Sequence, residues 1–193
     1  SLYQLTIEDG TAFGARHAAG KLRGLPSDDI AADMYLLTQE ICDQAGLPAY
    51  EVSNHARSGC ESRHNLVYWR YGDYAGIGPG AHGRLTINGI RHATDTPKQP
   101  EAWLDQVERT GAGEREFSAL PLEEQATEFL LFNLRLAEGL DPNRYESMSG
   151  KAFDPQSLRD LQNMEMIQLE EGRIKATNAG RAILNAVIRE LMP

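Results

Sequence analysis

The strongest constraint on the fold lies in the last third of the chain, where start signals for helices follow one another in a fixed order. Asp141-Pro142 and Asp154-Pro155 each place a side-chain acceptor directly before a proline, which is the pattern of a helix N-terminus. Before them, apolar residues recur at helical spacing as far as Gly139 and predict an amphipathic helix. These residues are Leu122, Ala126, Phe129, Leu130 and Leu134. Three helices are therefore expected, the third of them using Leu158 and Leu161.

The sequence that follows, MIQLEEGRIKAT, reads as two short strands joined by Glu171-Gly172. A final helix is predicted from Asn178 to Leu191, which completes the order of a winged helix. Winged helices raise the question of DNA binding, but residues 117–193 carry twelve acidic and eight basic side chains, and the candidate recognition helix offers only Arg159 as a cation. Phosphates require a more basic face. We therefore expect this segment to pack against the rest of the protein or against a partner.

The first part of the chain reads as a strand, a helix and a second strand. Apolar and polar residues alternate in LYQLTIE, residues 2–8, which is the two-residue period of a strand. A glycine-rich loop region leads to Ser27, a candidate N-cap for a helix that ends at Gly46. The helical spacing is carried by Ile30, Met34, Leu37 and Ile41. With LPAYEVS, residues 47–53, as a second strand, the order predicts a parallel α/β unit with a right-handed crossover.

The middle of the chain carries a hairpin, a helix and a boundary signal. The segments RLTI and IRHA flank Asn88-Gly89, which is a strong hairpin signal. A helix is expected around residues 103–107, after two prolines. The GAG run at 111–113 indicates a domain boundary, so we predict domains at residues 1–113 and 114–193.

Composition excludes several classes of function. The net charge of −9 opposes a large footprint on nucleic acid. The two cysteines, Cys42 and Cys60, lack the Cys-x-x-Cys spacing of a zinc site or a redox dithiol and are expected to be reduced structural thiols. No apolar run approaches the roughly 18 residues of a membrane span, and no signal peptide is visible. The sequence therefore predicts a cytoplasmic location.

One segment departs from the acidic background of the chain. Between His55 and His92, five arginines stand against two acidic residues, and four of the five histidines lie there. The arginines are Arg57, Arg63, Arg70, Arg84 and Arg91. Such a patch suits a flat anionic ligand, because guanidinium groups bind carboxylates and aromatic faces stack. The same residues also suit a loop with solvated arginines and core-packed aromatics, and composition leaves both interpretations open.

Spacing narrows the candidates within this patch. If HNLVYW is helical, His64 and Tyr68 lie on one face, four residues apart. Asn65 could cap that helix or fix the imidazole tautomer. The run GIGPGA, residues 76–81, matches the dinucleotide fingerprint in form, but the Asn88-Gly89 turn leaves no room for the required helix. We interpret it as a strand end where bare backbone approaches a neighbour or a ligand.

Two stretches of the sequence resemble the oxygen-independent coproporphyrinogen III oxidase-like family of radical S-adenosylmethionine (radical SAM) proteins, in its heme chaperone HemW branch. They are SLYQLTIEDGTAF and AYEVSNHARSGCESRHNLVYWRYGDYAGIGPGAHGR. The resemblance covers essentially the whole chain. It implies an α/β fold class, with the C-terminal part of a partial (β/α) radical-SAM barrel followed by a mainly helical winged-helix-like domain. The acidic final segment resembles the family's HemN C-terminal domain, which accounts for a winged pattern without DNA.

The resemblance also implies cofactors. The family holds a [4Fe–4S] cluster on Cys-x-x-x-Cys-x-x-Cys, and the open iron binds S-adenosylmethionine. This chain contains no such motif, so it resembles the C-terminal half of a longer protein, which agrees with its abrupt start inside a predicted strand. Gln4, Ile77 and Gly78 would lie on the S-adenosylmethionine side. Alone, the chain is expected to have no radical activity.

The HNLVY stretch matches the branch's H-N-x-x-Y motif, which is associated with heme binding. His64 would be the candidate iron ligand, supported by Asn65 and Tyr68. Tyr68 or Trp69 would stack on the macrocycle. The heme propionates would meet cations at Arg63, Arg70 and Arg84.

Three functions follow as alternatives. The first is a heme chaperone that delivers heme to respiratory proteins, with no nucleic-acid partner; a membrane-associated recipient and a homodimer remain open. The second is an oxygen-independent coproporphyrinogen III oxidase of porphyrin biosynthesis, since the carboxylates of coproporphyrinogen would bind the same arginines. The third is a non-enzymatic winged-helix interaction module whose central patch is structural. The H-N-x-x-Y motif favours the chaperone.

Overall fold

A computed structural model describes residues 1–3 and 5–192, which form two compact units that divide between Glu61 and Ser62. The first unit contains two helices, α1 (Ala12–Ala18) and α2 (Asp28–Gln44). The second contains α3 (Arg63–Trp69), β1 (His82–Ile87), β2 (Ile90–Asp95), α4 (Pro100–Thr110), β3 (Glu116–Ala119), α5 (Leu122–Asn133), α6 (Pro142–Ser149), α7 (Pro155–Asn163), β4 (Ile167–Glu170), β5 (Arg173–Ala176), α8 (Asn178–Ala182) and α9 (Leu184–Leu191).

The predicted helix of the first unit is confirmed, because α2 begins after Ser27, whose hydroxyl accepts a hydrogen bond from the Ile30 amide at 3.4 Å. Helix α1 was missed, since its glycine made the segment read as a loop. Gly14 is needed there for a different reason: a Cβ at this position would lie 2.2 Å from the Glu8 carbonyl oxygen. Close packing of backbone, rather than a turn, accounts for this glycine.

The two strands predicted in the first unit were wrong. Among the described residues of 2–8 no strand forms, and Leu2 instead donates one backbone hydrogen bond to Ser53 at 2.8 Å. For residues 47–53, strand pairing is limited to an isolated β-bridge between Ala49 and His55. A strand requires a continuous paired neighbour, and alternation of side chains does not provide one. The predicted parallel crossover is therefore not formed by the described residues.

The hairpin predicted around Asn88-Gly89 is confirmed and gains a third strand. Strands β1, β2 and β3 form an antiparallel sheet in that order, with Ile87 opposite Ile90 across the turn. Asn88 and Gly89 both have positive φ, 52° and 78°, as the two central residues of a type I′ turn require. Strand β3, which lies after the GAG run at residues 111–113, pairs with β2. The domain boundary after residue 113 stays a prediction.

The winged-helix order of the last segment is confirmed. Asp141 and Asp154 cap α6 and α7, accepting backbone hydrogen bonds at 2.9 and 2.8 Å. Strands β4 and β5 pair across Glu171-Gly172. The predicted final helix is instead divided at Ile183 into α8 and α9. The largest fully buried side chains all belong to this segment: Phe129, Leu130, Leu134, Leu136, Leu140, Ile174, Val187 and Ile188.

An ion pair joins the three-stranded sheet to α5. The Arg84 guanidinium of β1 contacts the Glu128 carboxylate of α5 at 2.5 Å, and both side chains are about four-fifths buried. The Tyr71 hydroxyl donates to the same carboxylate at 3.0 Å. Arg91 lies over the Tyr71 ring, 3.9 Å from its centroid, and pairs with Asp73 at 2.7 Å. We call these five residues the Glu128 cluster.

The cluster changes the acidity of its members. Burial by itself would raise the pKa of Glu128, but hydrogen bonds from Arg84 and Tyr71 outweigh it and lower that pKa. Burial and the neighbouring Glu128 charge raise the pKa of Tyr71. The hydrogen bonds that Arg84 donates to Glu128 raise the pKa of the Arg84 guanidinium despite its burial. Glu128 is therefore ionised and Tyr71 neutral at pH 7.

Replacing Leu130 by alanine should destabilise the second unit by about 2–5 kcal/mol, because the substitution leaves a cavity at a fully buried site. Both tryptophans, Trp69 and Trp103, lie in this unit, so their fluorescence during urea unfolding measures the effect. The control is Leu122→Ala, at a side chain 63% exposed, which should change the unfolding free energy by about 0.5 kcal/mol or less. Equal effects of the two substitutions would contradict the assigned core.

Glu128→Gln should lower the unfolding free energy at pH 7 by roughly 1–3 kcal/mol, since it removes a charge-assisted hydrogen bond from a mostly buried pair. The pKa of Glu128 in the folded protein lies below its ordinary value of 4.5, so its contribution is present above that pH and is lost as pH falls through the folded-state pKa. The difference between wild type and variant should therefore shrink below about pH 4.

Urea unfolding followed by tryptophan fluorescence at pH 7 and at pH 3 checks this second prediction. Asp105→Asn, which removes an exposed pair at 4.0 Å within α4, is the matched control and should change little at either pH. A difference between wild type and Glu128→Gln that stays constant from pH 7 to pH 3 would show that the ion pair does not stabilise the fold.

Candidate functional site

The segment considered as a possible helix in the sequence forms α3, which ends in a tight reversal. Ser62 caps it by accepting a hydrogen bond from the Asn65 amide at 3.3 Å, so the capping role considered for Asn65 was wrong. After Arg70 the chain turns at Tyr71, which has a φ of 60°, and the Gly72 amide donates back to the Val67 carbonyl at 2.8 Å. The turn directs the following segment toward the sheet.

The predicted shared face of His64 and Tyr68 is present. The Tyr68 hydroxyl lies 3.0 Å from Nε2 of His64, and the two rings meet edge to face with centroids 4.9 Å apart. The Tyr68 ring in turn meets Tyr74 edge to face at 4.4 Å. His64 is exposed, whereas both tyrosines are partly buried. We call these three residues the His64 ladder.

Strand β1 fixes the far end of the ladder. Tyr74 and Arg84 exchange two backbone hydrogen bonds, at 2.8 and 2.9 Å, in an isolated antiparallel bridge. Burial raises the pKa of the Tyr74 hydroxyl, so this group is neutral at pH 7. Tyr74 was missed in the sequence because its contact with Tyr68 depends on the reversal at Tyr71 and on pairing with β1, which spacing does not reveal.

Trp69 packs against a residue outside the ladder. Its ring meets Phe132 of α5 edge to face, with centroids 5.8 Å apart, and is partly buried. Trp69 thus attaches α3 to α5, while Tyr68 is the aromatic residue beside His64. A stacking role for either ring toward a ligand stays a prediction.

The cations predicted for propionates differ in availability. All three Arg84 nitrogens donate within the protein, to Glu128 and to the Gly83 carbonyl, so this side chain is engaged by the scaffold and its role toward a propionate stays a prediction. Arg70 forms a bidentate pair with Glu138 at 2.7 and 2.9 Å, at the surface. Arg63 precedes His64 on α3 and is exposed. Arg63 is therefore the best placed of the three to meet a carboxylate beside His64.

The GIGPGA segment is a loop rather than a strand end. A Cβ on Gly76 would lie 2.5 Å from the His82 carbonyl oxygen, which confirms the predicted close approach of bare backbone to a neighbour. Gly78 has a φ of 97°, and its carbonyl accepts a hydrogen bond from the buried Thr96 hydroxyl at 2.7 Å. Ile77 projects between them with 88% of its surface exposed. Strand β1, and not the helix that a dinucleotide site needs, follows this loop directly, as the sequence analysis predicted.

Ile77 and Gly78 lie in this loop, which follows Tyr74 of the ladder in the sequence. The third residue predicted for the S-adenosylmethionine side, Gln4, lies outside the described residues. In the part of the chain that the structure describes, no three histidine, cysteine, aspartate or glutamate side chains gather as a metal site. What the ladder offers chemically is a single accessible imidazole with a phenol at hydrogen-bond distance, which can ligate a metal already held by another group.

None of the helices found within residues 1–3 and 5–192 combines the length and the apolar character needed to cross a membrane.

Comparison with known proteins agrees with these observations. Residues 120–183 match the HemN C-terminal domain. The chain is 32% identical over 202 residues to radical S-adenosyl methionine domain-containing protein 1, mitochondrial, of Danio rerio, covering 100% of this chain and 45% of that protein. It is also 32% identical over 190 residues to the heme chaperone HemW of Bacillus subtilis (strain 168), covering 97% of this chain and 49% of that protein.

A solved structure of coproporphyrinogen III oxidase (HemN) from Escherichia coli, described as a radical SAM enzyme, matches 91% of this chain and 44% of that one. The TM-score is 0.65 at 19% sequence identity, which confirms the predicted α/β fold class. The chain spans about half the length of the curated relatives it matches. It is a homologue of the C-terminal part of the radical SAM domain-containing proteins and HemW heme chaperones, and it carries the HemN C-terminal domain.

Proposed function

We propose that the protein to which this chain belongs binds heme at His64 and transfers it to heme-accepting respiratory proteins. The observation that carries the proposal is the His64 ladder: an exposed imidazole on α3, flanked by the edge of a tyrosine ring. Neutral imidazole is a common ligand of heme iron. Heme is the cargo in this proposal, and the residues fit it.

Each member of the site has a role toward a flat, anionic macrocycle. His64 supplies the ligand atom, and the exposed Arg63 guanidinium can pair with a propionate. Tyr68 offers its ring to the macrocycle, and Asn65 lies next to the ligand in the same helical turn. Trp69 supports the site through Phe132 and is the alternative stacking residue.

Homology supports the same function and extends it to cofactors. HemW relatives at 32% identity are named heme chaperones. A [4Fe–4S] cluster and S-adenosylmethionine would belong to the full-length protein, where they supply radical chemistry. The two cysteines of this chain cannot provide a three-cysteine cluster motif. Ile77 and Gly78, with Gln4, are proposed for the S-adenosylmethionine side. A cytoplasmic location, a membrane-associated recipient and a homodimer belong to the same proposal.

The second candidate function is coproporphyrinogen III oxidation, favoured by the structural similarity to HemN. Both substrates are tetrapyrroles with carboxylate side chains, so the cations alone do not separate the two functions. Turnover of coproporphyrinogen by the full-length protein, with its cluster reconstituted and S-adenosylmethionine supplied, separates them. Turnover would support the oxidase, and heme binding without turnover would support the chaperone.

Replacing His64 by alanine should weaken hemin binding at least tenfold and shift the Soret band, because the iron loses its protein ligand. Absorbance titration of hemin into wild type and variant measures both changes. The control is His17→Ala, which removes a different exposed histidine, one that lies in the first unit, and it should bind hemin like wild type. An unchanged Soret band and affinity in His64→Ala would show that His64 is not the ligand.

A further inference from the structure

The hydroxyl of Tyr68 contacts the nitrogen that a metal would need. It lies 3.0 Å from Nε2 of His64, four residues earlier on the same helix. We propose that Tyr68 is a positioning residue that masks Nε2 of His64, so that heme iron binds only after the hydroxyl has been displaced. This inference rests on the proposed heme-binding function and adds a control on the affinity of that site.

The proposal takes the neutral His64 tautomer in which Nε2 accepts the hydrogen bond from Tyr68. A neutral imidazole has one nitrogen that accepts and one that donates, and a phenol donates readily to such a nitrogen. When the Tyr68 hydroxyl donates to Nε2, the His64 proton resides on Nδ1. The lone pair of Nε2 is then engaged and Nδ1 has none to offer. In this arrangement the exposed imidazole cannot ligate iron without losing the bond to Tyr68.

The surroundings of Tyr68 keep its hydroxyl in place. Its ring is held at one side by the edge contact with Tyr74, at 4.4 Å between centroids. Tyr74 is fixed by its backbone pairing with Arg84, and the Arg84 side chain is fixed by Glu128. The Tyr68 ring therefore has a defined position, and its hydroxyl meets His64 in the absence of ligand. Masking lowers the affinity of His64 for iron and favours release, which suits a protein that must give up its cargo.

The first test needs no heme. Diethylpyrocarbonate acylates an unprotonated imidazole nitrogen, so its rate at His64, followed by peptide mass spectrometry, reports access to that nitrogen. Tyr68→Phe should raise this rate roughly two- to tenfold, the factor that corresponds to loss of one hydrogen bond. Tyr74→Phe, which keeps the ring beside Tyr68 and leaves the Tyr68 hydroxyl in place, is the matched control and should leave the rate unchanged. An equal or slower rate in Tyr68→Phe would overturn the proposal.

The second test is hemin titration by absorbance with wild type, Tyr68→Phe, His64→Ala and the double variant. Tyr68→Phe should bind hemin roughly two- to tenfold more tightly with the Soret position of wild type. The double variant should bind like His64→Ala, because the gain acts through His64. Hemin binding that depends on His64 but is unchanged or weaker in Tyr68→Phe would refute masking alone. Binding that is indifferent to His64 would refute the proposed function and masking together.

Discussion

The contact between Arg84 and Glu128 is the interaction on which the rest of the second unit depends. It crosses from β1 to α5, the two elements that carry the sheet and the winged-helix-like segment, and it also receives the Tyr71 hydroxyl. The backbone of Arg84 holds Tyr74, and Tyr74 holds the ring of Tyr68. One arginine thus links the packing of the fold to the position of the candidate ligand. A mostly buried pair of this kind tolerates the loss of one partner poorly, because the other charge is left without compensation.

This linkage explains why the positive patch of the sequence was ambiguous. Arg84 and Arg91 serve the scaffold, by ion pairing with Glu128 and Asp73 and by the approach of Arg91 to the Tyr71 ring. Arg63 is exposed beside the ligand candidate. The scaffold interpretation of the patch therefore holds for Arg84 and Arg91, whereas a ligand role for Arg63 stays a proposal. Composition counts guanidinium groups but does not reveal which of them already have an anionic neighbour in the fold.

Local signals in the sequence were sufficient for the elements that depend on neighbouring residues. The caps at Asp141 and Asp154, the turns at Asn88-Gly89 and Glu171-Gly172, and the four-residue spacing of His64 and Tyr68 were all predicted correctly. Features that depend on partners distant in the sequence were not predicted. The strands expected near both ends of residues 2–53 lack a paired neighbour among the described residues, and the contact between Tyr68 and Tyr74 arises only when the chain reverses at Tyr71. The sequence thus located the candidate ligand but not the support beneath it.

The short length of α3 has a further consequence for the site. A helix of seven residues has too few internal hydrogen bonds to persist in water by itself, so its conformation is supplied by contacts such as that of Trp69 with Phe132. The distance between His64 and Tyr68 is therefore a property of the folded second unit rather than of the HNLVY pentapeptide. A local opening that detaches α3 from α5 would dissolve the ladder while the apolar core around Phe129 stayed intact. The geometry that places the Tyr68 hydroxyl beside His64 can thus be lost well before the chain unfolds.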